Sequence, residues 1–229
     1  MSITPRQREK EAGAYRVQRF WPVVSGSVAV LLVALAGVLI AVRNYDVVPF
    51  DVDAEWMEEL VEHRHPFWQA MALAFDHLGG GIFGVFVVPL TVIAVLFLLG
   101  RRSAALYFAV ASVVSALLVQ IIKNTVDRPR PEQILVAADF GSFPSGHTAN
   151  AATMAVALAL ILRRYWVWVA GAAYVVLMLL SRNYLGAHWL TDTLGGMVLG
   201  AGVAVIAWAP FAHRLHLERR RKQPDATAT

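Results

Sequence analysis

The amino-acid sequence predicts an all-α fold, a polytopic membrane bundle of six transmembrane helices with both termini in the cytoplasm. Three observations carry this expectation. Apolar residues make up 58% of the 229 positions and charged residues 16%, against roughly 45–50% and 25% in soluble domains. Six long stretches are almost free of charge. Lys and Arg gather on alternate connections between those stretches. The chain has no cysteine, which excludes a disulfide framework, thiolate chemistry and Cys-ligated metals.

The elements follow in chain order. Residues 1–19 are a polar tail, and the run 20–42 is the first crossing. Its 23 uncharged residues exceed the ~7–15-residue core of a signal peptide, so it reads as a retained anchor. The connection 43–80 is rich in acids, among them Asp51, Asp53, Glu55, Glu58 and Asp76. Trp56, Met57 and Leu60, then Phe67, Trp68 and Met71, predict two short interfacial helices broken near Pro66. The remaining runs are 78–100, 103–122, 140–162 (interrupted only by His147), 165–181 and 193–212. The helix from 165 is expected to continue through Arg182 towards Tyr184. Most runs reach the ~20 residues that cross ~30 Å of hydrocarbon, where each backbone must satisfy itself as a helix. Residues 20–213 are therefore expected to form one six-helix domain, and 214–229 a basic tail.

Orientation follows from the basic residues. The two tails, the pair Arg101–Arg102 and the pair Arg163–Arg164 together hold 14 of the 20. That bias places this side in the cytoplasm, and 43–80, 123–147 and 182–192 outside it. Topology alone accounts for the bases of the tails.

Three polar clusters fall on the outward side. They are Lys123 to Pro131, Phe143-Pro144-Ser145-Gly146-His147, and Ser181-Arg182 through His188 to Asp192. Ionisable groups beside hydrocarbon are costly and mark function by default. Between Arg102 and Lys123 lie 20 residues, ~30 Å of helix, and His147 to Ser181 is one path in and back out. All three clusters thus share one membrane face.

Their spacing indicates chemistry. His188 and Asp192 are i,i+4, so on a helix a carboxylate reaches the imidazole, fixes its tautomer and frees the other nitrogen to attack. Pro144-Ser145-Gly146-His147 opens an apolar helix whose free N–H groups suit an anion, and Gly146 lets a ligand approach closely. Lys123, Arg130 and Arg182 add three positive charges, which a tetrahedral phosphate matches. Arg128-Pro129 leaves a register ambiguity with Arg130-Pro131. Singly, each residue has a plainer use: Lys123 can snorkel, Arg182 can set topology, and either histidine can be a structural hydrogen bonder. Gly195, Gly196 and Gly200 read as close helix packing. The convergence of two histidines, three cations and a paired carboxylate decides for a site.

These residues resemble the three-part signature of the type 2 phosphatidic acid phosphatase superfamily, over about residues 78–212. The resemblance implies a phosphatase with no metal and no cofactor. It makes His188 the nucleophile that forms a phosphohistidine, Asp192 its orienting partner, and His147 the group that protonates the leaving oxygen and then activates water. Lys123, Arg130, Arg182, Ser145 and Gly146 would hold the phosphoryl oxygens. The expected partners are the bilayer and a lipid phosphate: polyprenyl pyrophosphate, phosphatidic acid, phosphatidylglycerol phosphate or a related lipid. No nucleic-acid partner is expected, and the oligomeric state is left open. A cell-membrane location with the site outside follows from the charge distribution. The alternative is a phosphotransferase of the same superfamily, with a sugar or lipid hydroxyl in place of water. A vanadium-dependent haloperoxidase or a non-catalytic lipid carrier fits less well.

Overall fold

The computed structural model describes residues 5–43 and 49–220. Residues 1–4 and 221–229 of the two expected tails, and 44–48 of the first connection, lie outside the described residues. The described residues form eight α-helices and no strand: α1 (Pro5–Arg43), α2 (Asp51–Glu62), α3 (Pro66–Gly79), α4 (Val88–Leu98), α5 (Arg102–Val126), α6 (Gly146–Leu162), α7 (Tyr165–Tyr184) and α8 (Leu190–Arg220). A π-helical turn, Phe83–Val87, leads into α4.

Segments of α1, α5, α7 and α8 are long and apolar enough to cross a membrane. A fifth span results if α3 and the helix Phe83–Leu98, bent by 46°, are taken as one. Six such spans were expected, and two elements account for the difference. The run 78–100 is not one straight helix, because Gly79, Gly80 and Gly81 interrupt it and Gly81 has φ +57°. The run 140–162 yields a helix of only 17 residues, because the Ser145 hydroxyl, which accepts from Thr148 N, fixes its start. Helix also reaches into both expected tails: α1 begins at Pro5, where the missing N–H costs nothing, and α8 runs on to Arg220. The connection after α1 folds as expected, into α2 and α3 with Pro66 at the break.

Small residues set the packing. A Cβ at Gly196 would lie 2.4 Å from the Ser145 carbonyl oxygen, and one at Gly200 2.1 Å from that of Ala149, so α8 touches the backbone of α6. Thr153 Oγ1 donates to Ser115 Oγ at 2.9 Å and ties α6 to α5. Tyr107, Phe108, Met154 and Ile161 fill the core at the far end from the clusters, and Tyr107 caps it by donating to the Ala204 carbonyl at 2.9 Å. Leu31, Leu32, Leu35 and Leu117 stand exposed on the outer surface, as lipid-facing residues do. The outcome is a bundle that delivers the ends of α3, α5 and α7 and the starts of α6 and α8 to one place.

Candidate active site

Lys123, Arg130, Gly146, His147, Arg182 and His188 line one cavity of about 310 Å³. Lys123 is in the last turn of α5, Gly146 and His147 in the first turn of α6, and Arg182 in the last turn of α7. Arg130 and His188 sit on the loops between these helices.

His188 is held by backbone. Its Nδ1 lies 2.8 Å from the Ser142 carbonyl, which can only accept, so Nδ1 carries the hydrogen and Nε2 keeps its lone pair. Arg130 Nη1 stands 3.5 Å from that Nε2. Burial holds the imidazole well below the ordinary histidine range, and the charges of Arg182, Arg130 and Lys123 push the same way. A buried imidazole with a free lone pair beside three cations has the chemistry that nucleophilic attack on an anion requires.

Asp192 takes a different position from the one expected. Residue 188 precedes α8, so the i,i+4 spacing is not helical, and Asp192 Oδ2 stays 3.8 Å from His188 Nδ1. The carboxylate is bonded instead to Trp189 N at 2.9 Å and Arg128 Nη1 at 2.6 Å. The Arg128–Arg130 ambiguity is thereby resolved in space. Arg128 is buried among Asp53, Thr191 and Asp192, away from the cavity that Arg130 lines. Ser145 is also outside the cavity wall, its hydroxyl accepting from Thr148 Oγ1 at 3.1 Å. Gly146 remains on the wall, where an added Cβ would meet only Val119 at 3.6 Å.

The cations are already engaged by carboxylates that carried no motif. Asp139 Oδ1 accepts from Lys123 Nζ at 3.1 Å and from Arg130 Nη2 at 2.6 Å. Burial would raise its pKa, but Lys123, through charge and hydrogen bond, and Arg130 outweigh this and hold it below the usual carboxylate range. Asp76, on α3, pairs with Arg182 Nη1 and lies 3.2 Å from His147 Nε2. Arg182 Nε is buried with no hydrogen-bond partner among the described residues, a donor available to a ligand. A Cβ at Gly80 would fall 1.8 Å from His147 Nε2, so only glycine lets α3 end over that ring. Asp76 was detectable as the lone acid in an apolar helix. Asp53 was not, because Asp51, Glu55, Glu58 and Glu59 surround it in the sequence.

Three cations, a free guanidinium N–H and an unprotonated imidazole around one cavity suit a tetrahedral phosphoryl group. With the apolar helices around it, the class is that of a membrane phosphatase. The PAP2 superfamily model matches residues 104–215. The chain is 32% identical over 149 residues to phosphatidylglycerophosphatase B of Bacillus subtilis, covering 60% of this chain and 72% of that one. It is 27% identical over 128 residues to an undecaprenyl-diphosphatase of Sulfolobus acidocaldarius, covering 52% and 61%. The crystal structure of a transmembrane PAP2 type phosphatidylglycerolphosphate phosphatase from Bacillus subtilis superposes with a TM-score of 0.62 at 24% identity, over 85% of this chain and 98% of that one. The chain belongs to the PAP2 superfamily.

Proposed function

We propose that the chain hydrolyses the phosphate monoester or pyrophosphate of a membrane lipid through a phosphohistidine. The observation that carries this is the single cavity shared by Lys123, Arg130, His147, Arg182 and His188. His188 Nε2 attacks phosphorus and forms the N–P bond while the bond to the lipid oxygen breaks. His147 gives its proton to that oxygen. It then takes a proton from water, whose oxygen attacks phosphorus, and His188 leaves with its lone pair restored. Lys123, Arg130, Arg182 and the Gly146 N–H stabilise the charge on the three transferring oxygens. Ser145 supports that amide by capping α6. Asp192 acts through charge at 3.8 Å, while the Ser142 carbonyl sets the tautomer.

The same reading has six crossings within residues 20–213, the bent α3–α4 pair and the short α6 included. It keeps both termini in the cytoplasm and the cavity on the outward side, because 14 of 20 basic residues lie on the other side. The named activities of the relatives, on phosphatidylglycerophosphate and undecaprenyl diphosphate, support a lipid substrate. Phosphate release from a panel of lipid phosphates, without an added acceptor, tests it. The intact protein is expected to release phosphate and His188→Ala to release none. Undiminished activity in His188→Ala overturns the assignment.

A further inference from the structure

A second polar concavity lies at the other end of the bundle, where α5 begins, α6 turns into α7 and α8 ends. Arg101, Arg163, Arg164 and Arg219 line a groove of about 730 Å³ there. The 22 residues from Arg101 to Lys123 put ~33 Å of helix between this groove and the histidines. Arg101 and Arg219 donate to the same oxygen, the carbonyl of Ile161, at 3.1 and 2.7 Å. Their guanidiniums are thus fixed side by side over the last turn of α6. Arg163 and Arg164 are exposed and, among the described residues, pair with no carboxylate. Glu218 is the one acid on the described wall, and both its oxygens are taken by Ser103 N at 2.5 Å and Ala104 N at 3.3 Å. Four positive charges therefore face a single committed negative one.

The groove continues into apolar space. Leu162 and Trp166 belong to its wall and also to that of a second cavity, about 440 Å³, between α4, α6 and α7. Val88, Val92, Leu158 and Ala170 line this slot. Gly171 sets its width, since a Cβ there would meet that of Ala155 at 3.0 Å. Topology requires only that arginines lie on this side of the membrane. It does not require them to converge on one concavity that opens into a slot for hydrocarbon.

We propose that the two joined cavities bind an anionic phospholipid, its phosphate held by the four arginines and one acyl chain laid between α4, α6 and α7. Guanidinium forks match phosphate oxygens, and basic pockets between helices on the cytoplasmic side recognise anionic headgroups. The occupant is distinct from the substrate, because the site lies at the opposite end of α5. It bridges three helices, one of which, α6, carries His147.

The test titrates the full chain in detergent with phosphatidylglycerol, phosphatidylcholine or inorganic phosphate, and counts bound molecules by native mass spectrometry. Arg163→Gln/Arg164→Gln removes two exposed charges without touching the Ile161 contacts. Ala170→Leu, at an exposed position, narrows the slot. Arg6→Gln/Arg8→Gln removes equal charge from the amino-terminal tail as a control. Intact protein is expected to bind phosphatidylglycerol about tenfold more tightly than phosphatidylcholine. The arginine pair should abolish that preference, Ala170→Leu should weaken phosphatidylglycerol binding, and the control should retain it. Lipid in the histidine cavity would not respond to these variants. Equal preference in the arginine pair and the intact protein, or equal loss in the control, overturns the proposal. Complete displacement of the lipid by millimolar inorganic phosphate also overturns it, since the occupant would then be a soluble anion.

Discussion

Arg128 and Asp192 meet at 2.6 Å inside the bundle, and the other terminal nitrogen of the same guanidinium is 2.7 Å from Asp53. Asp53 in turn accepts from Thr191 N at 2.9 Å and Thr191 Oγ1 at 2.7 Å. The rings of Phe50 and Trp189 lie 5.5 and 5.7 Å from Arg128 Cζ. Helix α2, which bears no catalytic motif, is thereby wired to the start of α8 and to the carboxylate beside His188.

This arrangement sets an expectation for Asp53. Asp53→Asn keeps the shape and removes one charge, so Arg128 should shift towards Asp192 and weaken its field at His188. The expected result is a fall in kcat of about tenfold, near 1.4 kcal/mol of barrier, with little change in KM. Arg128→Gln strands two buried carboxylates and should cost stability, on the order of 3–5 kcal/mol. Steady-state kinetics and thermal unfolding separate the two effects.

The histidines should differ in what they leave behind. His188→Ala is expected to lower turnover by on the order of 10⁴-fold or more, since the proposed intermediate forms on its Nε2. His147→Ala should accumulate phosphoenzyme, detectable as an acid-labile, base-stable label from a phosphate-labelled substrate. Activity of the intact protein should survive excess chelator. Complete loss there, with recovery on Mg²⁺, would count against a mechanism that relies on fixed cations.

Asp139 occupies the donors that a phosphate would use. Asp139→Asn should release Lys123 and Arg130, so that inorganic phosphate and vanadate inhibit about tenfold more strongly. The Asp139 carboxyl is depressed in the fold, so its stabilising contribution is present above the ordinary carboxylate range. It is lost as pH falls through the depressed value. Thermal unfolding of the intact protein should therefore decline more at acid pH than that of Asp139→Asn. A parallel decline would exclude this role.

His188 adds a pH signature of the same sign in a higher window. Its pKa in the fold is lowered by burial and by neighbouring cations, so the unfolded chain binds a proton first as pH falls. Stability should drop through the ordinary histidine range. The acid limb of kcat/KM due to His188 should lie below that range, and a pH–rate profile locates it.

Gly80→Ala should be disproportionately harmful for one methyl group. The added carbon would collide with the His147 ring at 1.8 Å, so either the ring or the end of α3 must move. Turnover should fall at least about tenfold, while His188 is still labelled by substrate. Unchanged kinetics would mean that α3 does not sit over His147.

Which side chains line the candidate cavity was legible in the sequence wherever a particular residue type stood at a fixed spacing. Lys123, Arg130, His147, Arg182 and His188 were placed together because helix lengths brought their clusters to one face. What escaped were the bracing carboxylates Asp53, Asp76 and Asp139, which carry no motif, and the work done by the backbone. The carbonyl of Ser142 holds His188, and a carbonyl leaves no trace in residue identity. The same blindness assigned that work to Asp192, since the i,i+4 rule assumes a helix that begins only at Leu190. The span 78–100 was read from hydropathy, which counts Gly79, Gly80 and Gly81 as compatible with hydrocarbon although their geometry breaks the helix.

The bracing by Asp53 and Asp76 has a consequence for any attempt to trim or transplant the catalytic unit. The stretch that matches the superfamily, 104–215, contains every histidine and cation of the cavity yet neither of these two carboxylates. Severed from α2 and α3, it would keep its signature intact while Arg128 lost one of its two counter-ions and Arg182 its paired carboxylate. A chimera that exchanges this stretch between relatives should be grafted together with residues 50–80, so that both buried arginines keep the carboxylates they pair with.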